Sequence, residues 1–413
     1  MSARFLIDRL GSQGDGLAST ESGEVFISYT LPGETVTAAR VRNRADLIAV
    51  LEPSLLRVAP RCRHFTVCGG CALQHMEDTA YREWKRGRVL QALRARRIEA
   101  EVAALVPCAP ASRRRATFAV RRAEAGMVFG FNRHLSSEIV QIEECPILRP
   151  EIVSAFDRLR ALAALICATP GPFHLAVTLT TSGIDVAAVG AGKLTESQRR
   201  AVADFAIREG FARVSADGEI LVEPRKPIVI FGKTAVAIPP GAFLQATRDA
   251  EQTMAGLVAG HMGKARRVAD LFAGCGSFAL RLATQAEVHA VENDAAALAA
   301  LDRGFRFGTG LKRVTTEKRD LFRRPLTFKE LNAFDGVVFD PPRAGAEEQA
   351  RQIARSVVPL VAAVSCNPVT LARDLAILVE GGYRLAAVTP IDQFLWSSHV
   401  EAVALLEKPR RRR

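Results

Sequence analysis

The chain has 413 residues, of which 48% are apolar, and it carries a formal net charge of +12. This length predicts roughly two to four domains with ample buried core. No apolar run reaches the roughly 18 residues of a membrane span, and the N-terminus lacks the apolar stretch of a signal peptide, so we expect a cytoplasmic protein. The positive charge favours a polyanionic partner such as nucleic acid, although a solvated basic surface would give the same total.

Residues 1–55 form the first segment, in which short alternating stretches are separated by glycines and by Pro32-Gly33. This pattern predicts a small five-stranded β-barrel. Asp15-Gly16-Leu17-Ala18, followed by Val25-Phe26-Ile27 and Leu31-Pro32-Gly33-Glu34, resembles a TRAM domain, which is an RNA-binding barrel. We therefore interpret residues 1–55 as a TRAM-like domain.

Three cysteines with C-x5-C-x2-C spacing come next: Cys62, Cys68 and Cys71. In a reducing compartment the eight cysteines of the chain are not expected to form a disulfide framework, and this spacing indicates a metal site instead. A closed thiolate site requires a fourth ligand, for which Cys145 is the best candidate. Zinc and an iron–sulfur cluster both accept four thiolates, so the spacing leaves the metal open. His64 and His75 are alternative ligands for a zinc site.

A helix is predicted at residues 76–98, because apolar residues recur on one side of it. Its basic residues are Arg82, Lys85, Arg86, Arg88, Arg94, Arg96 and Arg97. Further along, Arg113-Arg114-Arg115 and Arg121-Arg122 flank a short apolar strand, which indicates an RNA-contact surface, with a solvated charged face as the alternative. We assign residues 56–240 to a central α+β domain that holds the metal site and contacts RNA.

The last segment, residues 241–413, alternates between predicted strands and helices. Four apolar strands are predicted at residues 266–271, 287–291, 335–339 and 360–365. Such an alternation is typical of a doubly wound, mostly parallel α/β sheet, whose ligands bind beyond the carboxyl ends of the strands. The arginines at 410–413 are expected to form a disordered tail.

The first two of these strands end in residues suited to a nucleoside. The first runs into Gly274-Cys275-Gly276, where glycines let the backbone pass close under a ligand. The second ends at Glu292, whose carboxylate can accept hydrogen bonds from ribose hydroxyls. A third glycine is absent, which argues against a dinucleotide. This combination resembles the class I S-adenosylmethionine (SAM) methyltransferases.

The third and fourth strands end in Asp340-Pro341-Pro342-Arg343 and Ser365-Cys366-Asn367-Pro368. With Phe243-x-Gln245, Asp392-x-Phe394 and His399-Val400-Glu401, these motifs resemble the RNA uracil-5 methyltransferases. The resemblance spans nearly the whole chain and is closest to the branch that carries a TRAM barrel and an iron–sulfur cluster and modifies 23S ribosomal RNA.

The resemblance implies two cofactors and an RNA partner, with no obligate protein partner. It implies that Cys62, Cys68, Cys71 and Cys145 hold a [4Fe–4S] cluster. It also implies the following SAM contacts: Gln245, Phe272, Ser277, Glu292, Asp320 and Asp340.

The implied chemistry follows from the electronics of uracil, whose carbon 5 is a poor nucleophile. A Cys366 thiolate that adds to carbon 6 would create an enolate that is nucleophilic at carbon 5. After methyl transfer, Glu401 would remove the carbon-5 proton as general base. Asp340 would orient the uracil or the methyl donor.

Two segments depart from the family pattern. Gln245-Ala246-Thr247 stands where Gln-x-Asn is usual, and Leu395-Trp396-Ser397 where Pro-His-Thr is usual. Two alternative functions remain at this point: the same chemistry on a transfer-RNA uridine, and a non-catalytic RNA-binding or ribosome-assembly protein on a methyltransferase scaffold.

Overall fold

The computed structural model describes residues 2–124 and 126–409, so the arginines at 410–413 lie outside the described residues. The described chain forms a six-stranded sheet, two seven-stranded sheets and a two-stranded hairpin. Within this part of the chain, each helix is too short or too polar to cross a membrane.

The first sheet occupies the N-terminal segment and has the strand order β1-β5-β6-β4-β3-β2. Its strands are β1 (Ser2–Leu6), β2 (Arg9–Leu10), β3 (Gly16–Thr20), β4 (Gly23–Ile27), β5 (Thr35–Val41) and β6 (Arg44–Glu52). The sequence predicted five strands. The additional one is β2, whose two residues pair with β3 beside a turn closed by the hydrogen bond from Gly11 N to the Asp15 carbonyl (2.8 Å).

The predicted helix is present as α1 (Asp78–Ala95), slightly shorter than residues 76–98. It begins where the Glu77 carboxylate accepts hydrogen bonds from the Thr79 and Ala80 amides, which satisfies two of the free N–H groups of the first turn. Val89 and Leu93 are fully buried in the core of the C-terminal sheet. The helix therefore packs against the C-terminal part of the chain rather than standing free as a basic arm.

The central sheet has the order β13-β12-β11-β10-β7-β8-β9, with two longer helices packed against it. Its elements are β7 (Arg115–Ala123), β8 (Gly126–Asn132), β9 (Ile139–Gln141), α2 (Pro150–Val153), α3 (Phe156–Ile166), β10 (Phe173–Thr180), β11 (Gly183–Val189), α4 (Glu196–Arg208), β12 (Arg213–Ala216) and β13 (Glu219–Val222). A hairpin of β14 (Ile228–Phe231) and β15 (Thr234–Ala237) follows.

The C-terminal sheet has the order β18-β17-β16-β19-β20-β22-β21. Its elements are α5 (Arg248–His261), β16 (Arg267–Leu271), α6 (Ala279–Leu282), β17 (Glu287–Glu292), α7 (Ala295–Phe307), β18 (Val314–Lys318), α8 (Phe328–Leu331), β19 (Gly336–Phe339), α9 (Glu347–Arg355), β20 (Leu360–Ser365), α10 (Pro368–Glu380), β21 (Arg384–Ile391) and β22 (Glu401–Glu407). The four predicted strands are confirmed as β16, β17, β19 and β20, each within one residue of the predicted ends.

The order of the strands determines where the ligand crevice lies. From β16 the sheet grows outward through β17 on one side and through β19 and β20 on the other, and all these pairs are parallel. The order therefore reverses beside β16, and the carboxyl ends of its neighbours open into one crevice. The last strand, β22, runs antiparallel to β20, so its first residue, Glu401, reaches the same edge as the end of β20.

Candidate active site

The glycine-rich turn after β16 is built tightly. Phe272 adopts φ 62°, which is unusual for a residue with a side chain and costs about 1–2 kcal/mol. Gly276 has φ 95°, and a Cβ atom there would lie 2.8 Å from Leu301 Cγ. The turn therefore requires glycine at position 276 and keeps its backbone open toward the crevice.

Glu292, at the end of β17, is fixed against this turn. Its Oε2 accepts a hydrogen bond from Gly274 N (2.9 Å), and its Oε1 accepts from Asn293 N and Asp294 N (2.7 and 2.8 Å). A carboxylate held by backbone N–H groups stays in one orientation. Its position at the end of the second strand suits contact with ribose hydroxyls.

One cavity of about 650 Å³ opens above these strand ends. It is lined by most of the predicted site residues: Gln245, Phe272, Glu292, Asp320, Asp340, Cys366 and Glu401. Among the described residues, Ser277 is not part of this lining, and its carbonyl oxygen instead accepts a hydrogen bond from Arg281 Nη1 (2.6 Å). The cavity therefore joins the glycine turn to the Cys366 end of the sheet.

Two carboxylates in this cavity are connected by a chain of glutamine amides. Gln245 Nε2 donates to Asp340 Oδ2 (2.9 Å), while Gln393 Nε2 donates both to Gln245 Oε1 and to Glu401 Oε2 (2.7 Å each). Burial raises the pKa of Glu401 to about 8, with a further increase from the charge of Asp340. Burial also raises the pKa of Asp340 to about 7. Two nearby carboxyl groups with raised pKa values are suited to proton transfer near neutral pH.

Cys366 stands where β20 ends and α10 begins. Asn367 caps α10 and donates from Nδ2 to the Arg343 carbonyl (3.0 Å), which ties the cysteine turn to the Asp-Pro-Pro-Arg segment. Burial raises the pKa of the Cys366 thiol to about 11, the charges of Glu401 and Asp340 raise it further, and Arg343 opposes them. The thiol is therefore neutral at rest and needs a proton acceptor to react as a thiolate.

The loop of residues 392–399, between β21 and β22, closes one side of the cavity and is anchored from behind by α1. Asp392 Oδ1 accepts hydrogen bonds from Lys85 Nζ (2.8 Å) and Phe394 N (2.9 Å), and its Oδ2 accepts from Tyr81 OH (2.7 Å). Lys85 is completely buried. Lys85, one of the basic residues of the predicted helix, is therefore not available to an RNA partner, because its charge is neutralised inside the fold.

The same loop contacts the cysteine segment. Trp396 N donates to Tyr81 OH (2.8 Å), and the Trp396 carbonyl accepts from Ala72 N (2.8 Å) and Leu73 N (3.0 Å). Leu73 and Trp396 are both buried in one small apolar cluster. The loop is therefore held between α1 and the segment that follows Cys71.

The four predicted ligand cysteines line a second cavity, of about 300 Å³: Cys62, Cys68, Cys71 and Cys145. The segment carrying Cys145 is held against the Cys62 loop, since Glu143 N donates to His64 Nε2 (3.1 Å) and Arg63 N donates to Glu144 Oε1 (2.7 Å). Burial raises the pKa of Cys71 to about 12 and that of Cys145 to about 11. Within residues 2–124 and 126–409, no three His, Cys, Asp or Glu side chains form a group that could hold a metal ion.

The arginines around β7 differ in their environment. Arg121 and Arg122 are exposed, as an RNA-contact surface requires. Arg114 is buried and forms an ion pair with Glu251, which also binds Arg281 Nη2 (2.7 Å). The prediction that Arg114 faces RNA is therefore wrong.

The sequence reasoning missed Gln393 and the partners of Asp392. Gln393 is 2% exposed and occupies the variable position of Asp392-x-Phe394. Its only signal in the sequence was its position between two motif residues.

Thr247, which departs from the family pattern, caps α5 by accepting a hydrogen bond from Ala250 N (3.2 Å). Threonine and asparagine both serve as N-caps, which accounts for this departure.

Comparison with known proteins identifies relatives that match nearly the full length of this chain. The family model described as tRNA (Uracil-5-)-methyltransferase matches residues 308–409. The "Uncharacterized RNA methyltransferase mlr7480" of Mesorhizobium japonicum is 69% identical, with 100% of both chains covered. The 23S rRNA (uracil(1939)-C(5))-methyltransferase RlmD of Halomonas elongata is 35% identical, covering 98% of this chain and 89% of the relative.

A solved structure matches the whole fold. It is the tRNA (uracil-54, C5)-methyltransferase of Pyrococcus abyssi in complex with S-adenosyl-L-homocysteine. The TM-score is 0.76 at 23% identity, and the match covers 98% of this chain and 99% of that one. At this identity the likeness concerns the fold alone.

Proposed function

We propose that this chain, which belongs to the family of SAM-dependent RNA uracil-5 methyltransferases, forms 5-methyluridine in 23S ribosomal RNA. The observation that carries the proposal is the convergence of Cys366, Asp340 and Glu401 in one cavity with the glycine turn and Glu292. A nucleophile, a base and a nucleoside site thus share one crevice, which is what methylation at carbon 5 of uracil needs.

The residues present fit SAM at one end of this cavity. The glycine turn permits close approach of a ligand, and Glu292 is oriented by three backbone N–H groups. Gln245, Phe272, Asp320 and Asp340 line the same space and are the further proposed contacts. Ser277 is also proposed from the family resemblance, although it does not line the cavity. When bound, SAM supplies an electrophilic methyl group.

Cys366 is the proposed nucleophile. Its sulfur bonds to carbon 6 of the uracil, and the electron pair of the 5,6 double bond moves toward the carbonyl at carbon 4, which makes carbon 5 nucleophilic. The thiol proton leaves as this bond forms, and we propose that the Asp340 carboxylate, which lines the same cavity, accepts it, so that Glu401 stays ionised for the last step. Asp340, held by Gln245, orients the reacting groups.

Glu401 is the proposed general base for the last step. Once carbon 5 carries the methyl group, the Glu401 carboxylate takes the carbon-5 proton. The electron pair of that C–H bond restores the 5,6 double bond, and the bond between sulfur and carbon 6 breaks. The products are 5-methyluridine and the Cys366 thiolate.

The four cysteines that line the second cavity are proposed to hold an iron–sulfur cluster. Cys62, Cys68, Cys71 and Cys145 face one space of about 300 Å³, and four thiolates are the ligand set of a [4Fe–4S] cluster. When bound, the cluster would tie the Cys145 segment to the cysteine loop. Finding one zinc and no iron in the purified protein would replace this assignment with the zinc alternative.

The N-terminal and central domains are proposed to bind RNA. The six-stranded sheet of the first segment supports a TRAM-like domain at residues 1–55, followed by the central domain at 56–240 and the methyltransferase domain at 241–413. A uridine within folded RNA must leave its stack to reach Cys366, so contacts with the flanking RNA are needed. Cytoplasmic localisation stays a prediction.

The choice of 23S rRNA rests on the relative from Halomonas elongata, which is named for uracil 1939 of 23S rRNA and matches nearly all of this chain. Transfer RNA is the alternative, because the matching family model and the Pyrococcus abyssi structure are both described as acting on tRNA. The non-catalytic alternative is excluded, since the chain belongs to an enzyme family.

Mapping of 5-methyluridine by mass spectrometry in rRNA and tRNA from a deletion strain tests the proposal. We expect one uridine of 23S rRNA to lose its methyl group. The wild-type gene should restore it and the Cys366→Ala variant should not. Loss from tRNA alone would move the target to the alternative, and an unchanged pattern in both RNAs would overturn the proposal.

A further inference from the structure

Gln393 has an unusual position for a residue outside the predicted site. It is 2% exposed, lines the active-site cavity, and contacts both Glu401 and Gln245 through Nε2 (2.7 Å each). The two N–H bonds of its amide are therefore both committed to polar groups of the site.

The orientation of this amide is determined by the backbone. Gln393 Oε1 accepts a hydrogen bond from Ala246 N (2.8 Å), and a backbone N–H can only donate. The NH₂ group must consequently face Glu401. Because this group can only donate, it favours the ionised form of the glutamate.

The backbone on both sides of Gln393 is also anchored. Asp392 is bound by Lys85 and Tyr81, and the Phe394 carbonyl accepts from Lys85 Nζ (2.9 Å). A side chain that leaves such a fixed segment has little freedom to turn away. The position of the amide relative to Glu401 is thus set by the fold.

Besides the neutral amide of Gln393, several titratable or charged side chains face Glu401. Asp340, at the end of β19, raises the pKa of Glu401, and Cys366 lies at the end of β20. Arg343 and His399 line the same cavity and contact each other (Arg343 Nη2 to His399 Nδ1, 3.3 Å). Burial and Arg343 lower the pKa of His399 to about 4, so this ring is neutral at pH 7. Gln393 is the neighbour that donates to the Glu401 carboxylate and lowers its pKa.

We propose that Gln393 is a positioning residue for removal of the carbon-5 proton, holding Glu401 as an oriented carboxylate ready to accept it. This inference rests on the proposed function, because it takes Glu401 as the base. Without the amide, Glu401 should remain protonated to a higher pH. The methylated covalent intermediate should then decay more slowly near neutral pH.

The test measures decay of the covalent protein–RNA intermediate as a function of pH. Wild-type and Gln393→Met proteins are mixed with methyl-labelled SAM and 23S rRNA transcribed in vitro, and the adduct is quantified on denaturing gels. For Gln393→Met, losing one hydrogen bond to the charged form should move the midpoint of decay up by about one pH unit. Decay at pH 7 should be roughly tenfold slower and should return to the wild-type rate by about pH 9.5.

A matched control is available in Gln349. It is also buried (1% exposed) and loses two hydrogen bonds when replaced, to Leu326 N (2.9 Å) and Leu326 O (3.1 Å), but it lies away from the cavity. Gln349→Met should lower stability and leave the pH profile of decay unchanged. This comparison separates the loss of a buried amide from the loss of this particular contact.

Three outcomes would overturn the inference. The first is a Gln393→Met profile with the wild-type midpoint, and the second is a rate reduced equally at every pH, which would indicate only a displaced loop. The third is a raised KM for SAM with unchanged decay of the adduct. This result would mean that Gln393 acts by orienting Gln245 for SAM binding and not by orienting Glu401. Absence of any adduct in wild type, Glu401→Gln and Gln393→Met alike would instead count against the proposed function.

Discussion

Replacing Lys85 by methionine tests whether α1 holds the 392–399 loop. Lys85 and Asp392 form an ion pair of 2.8 Å whose side chains are 0% and 1% exposed. Methionine fills similar volume but leaves the Asp392 carboxylate buried without its counter-charge. Removing one partner of a buried pair costs about 3–5 kcal/mol, so we expect the free energy of unfolding to fall by that amount.

Urea unfolding followed by tryptophan fluorescence measures this loss of stability, and the fluorescence reports on the region around the ion pair. The two tryptophans of the chain are Trp84, on α1, and Trp396, in the anchored loop. The double variant Lys85→Met with Asp392→Asn should recover part of the stability, because it removes both charges. Lys264→Met, at an exposed position, should change the free energy of unfolding by less than about 0.5 kcal/mol.

A different result is expected if Lys85 contacts RNA and is not part of a buried ion pair. If Lys85 contacted RNA, Lys85→Met would keep the unfolding midpoint and reduce the salt dependence of RNA binding by about one unit. That pattern would refute the buried-pair interpretation.

The other predictions use the same structure. Gly276→Ala should weaken SAM binding at least tenfold in calorimetry, since its Cβ atom would meet Leu301 at 2.8 Å; unchanged binding would contradict the tight turn. The turnover rate should rise about tenfold per pH unit below pH 8, because a pKa of about 8 leaves Glu401 protonated under those conditions; a flat profile from pH 6 to 8 would count against this base. Arg121→Ala should reduce the salt slope of RNA binding by about one unit, whereas Arg114→Ala should instead destabilise the fold by leaving Glu251 with one partner fewer. Cys71→Ser should reduce iron content and loosen the loop at Trp396, visible as altered fluorescence; full iron loading would contradict the ligand assignment.

The fold of the C-terminal part was accessible from sequence because its signals are local. Each parallel strand is a short apolar run that ends in glycine, proline or a polar residue, and the strand ends of a doubly wound sheet meet at one edge. Cys366 and Asp340 could therefore be placed together without knowledge of any contact.

The anchoring of the site could not be predicted in this way. The contact between Lys85 and Asp392 spans 307 positions, and that between Gln393 and Gln245 spans 148. Charge patterns along a helix do not separate an exposed lysine from one buried beside an aspartate on a distant loop. Arg114 was misplaced for the same reason, since its partner Glu251 lies on another element.

The positions of the four cysteines show an intermediate case. The spacing of Cys62, Cys68 and Cys71 is a local signal, while Cys145 had to be chosen from the remaining cysteines. The structure brings all four to one cavity through contacts of the Glu143 and Glu144 segment with residues 63 and 64. Which metal such a site would bind depends on chemistry that spacing does not encode.

Trapping of the covalent protein–RNA intermediate tests the central claim most directly. Glu401→Gln should still form the bond between Cys366 and carbon 6 and accept the methyl group, but should release product about 10²–10⁴-fold more slowly. We therefore predict a SAM-dependent, denaturation-resistant adduct in Glu401→Gln that carries the methyl label, and no such adduct in Cys366→Ala. Turnover of Glu401→Gln at the wild-type rate, or methylation of RNA by Cys366→Ala, would contradict the account.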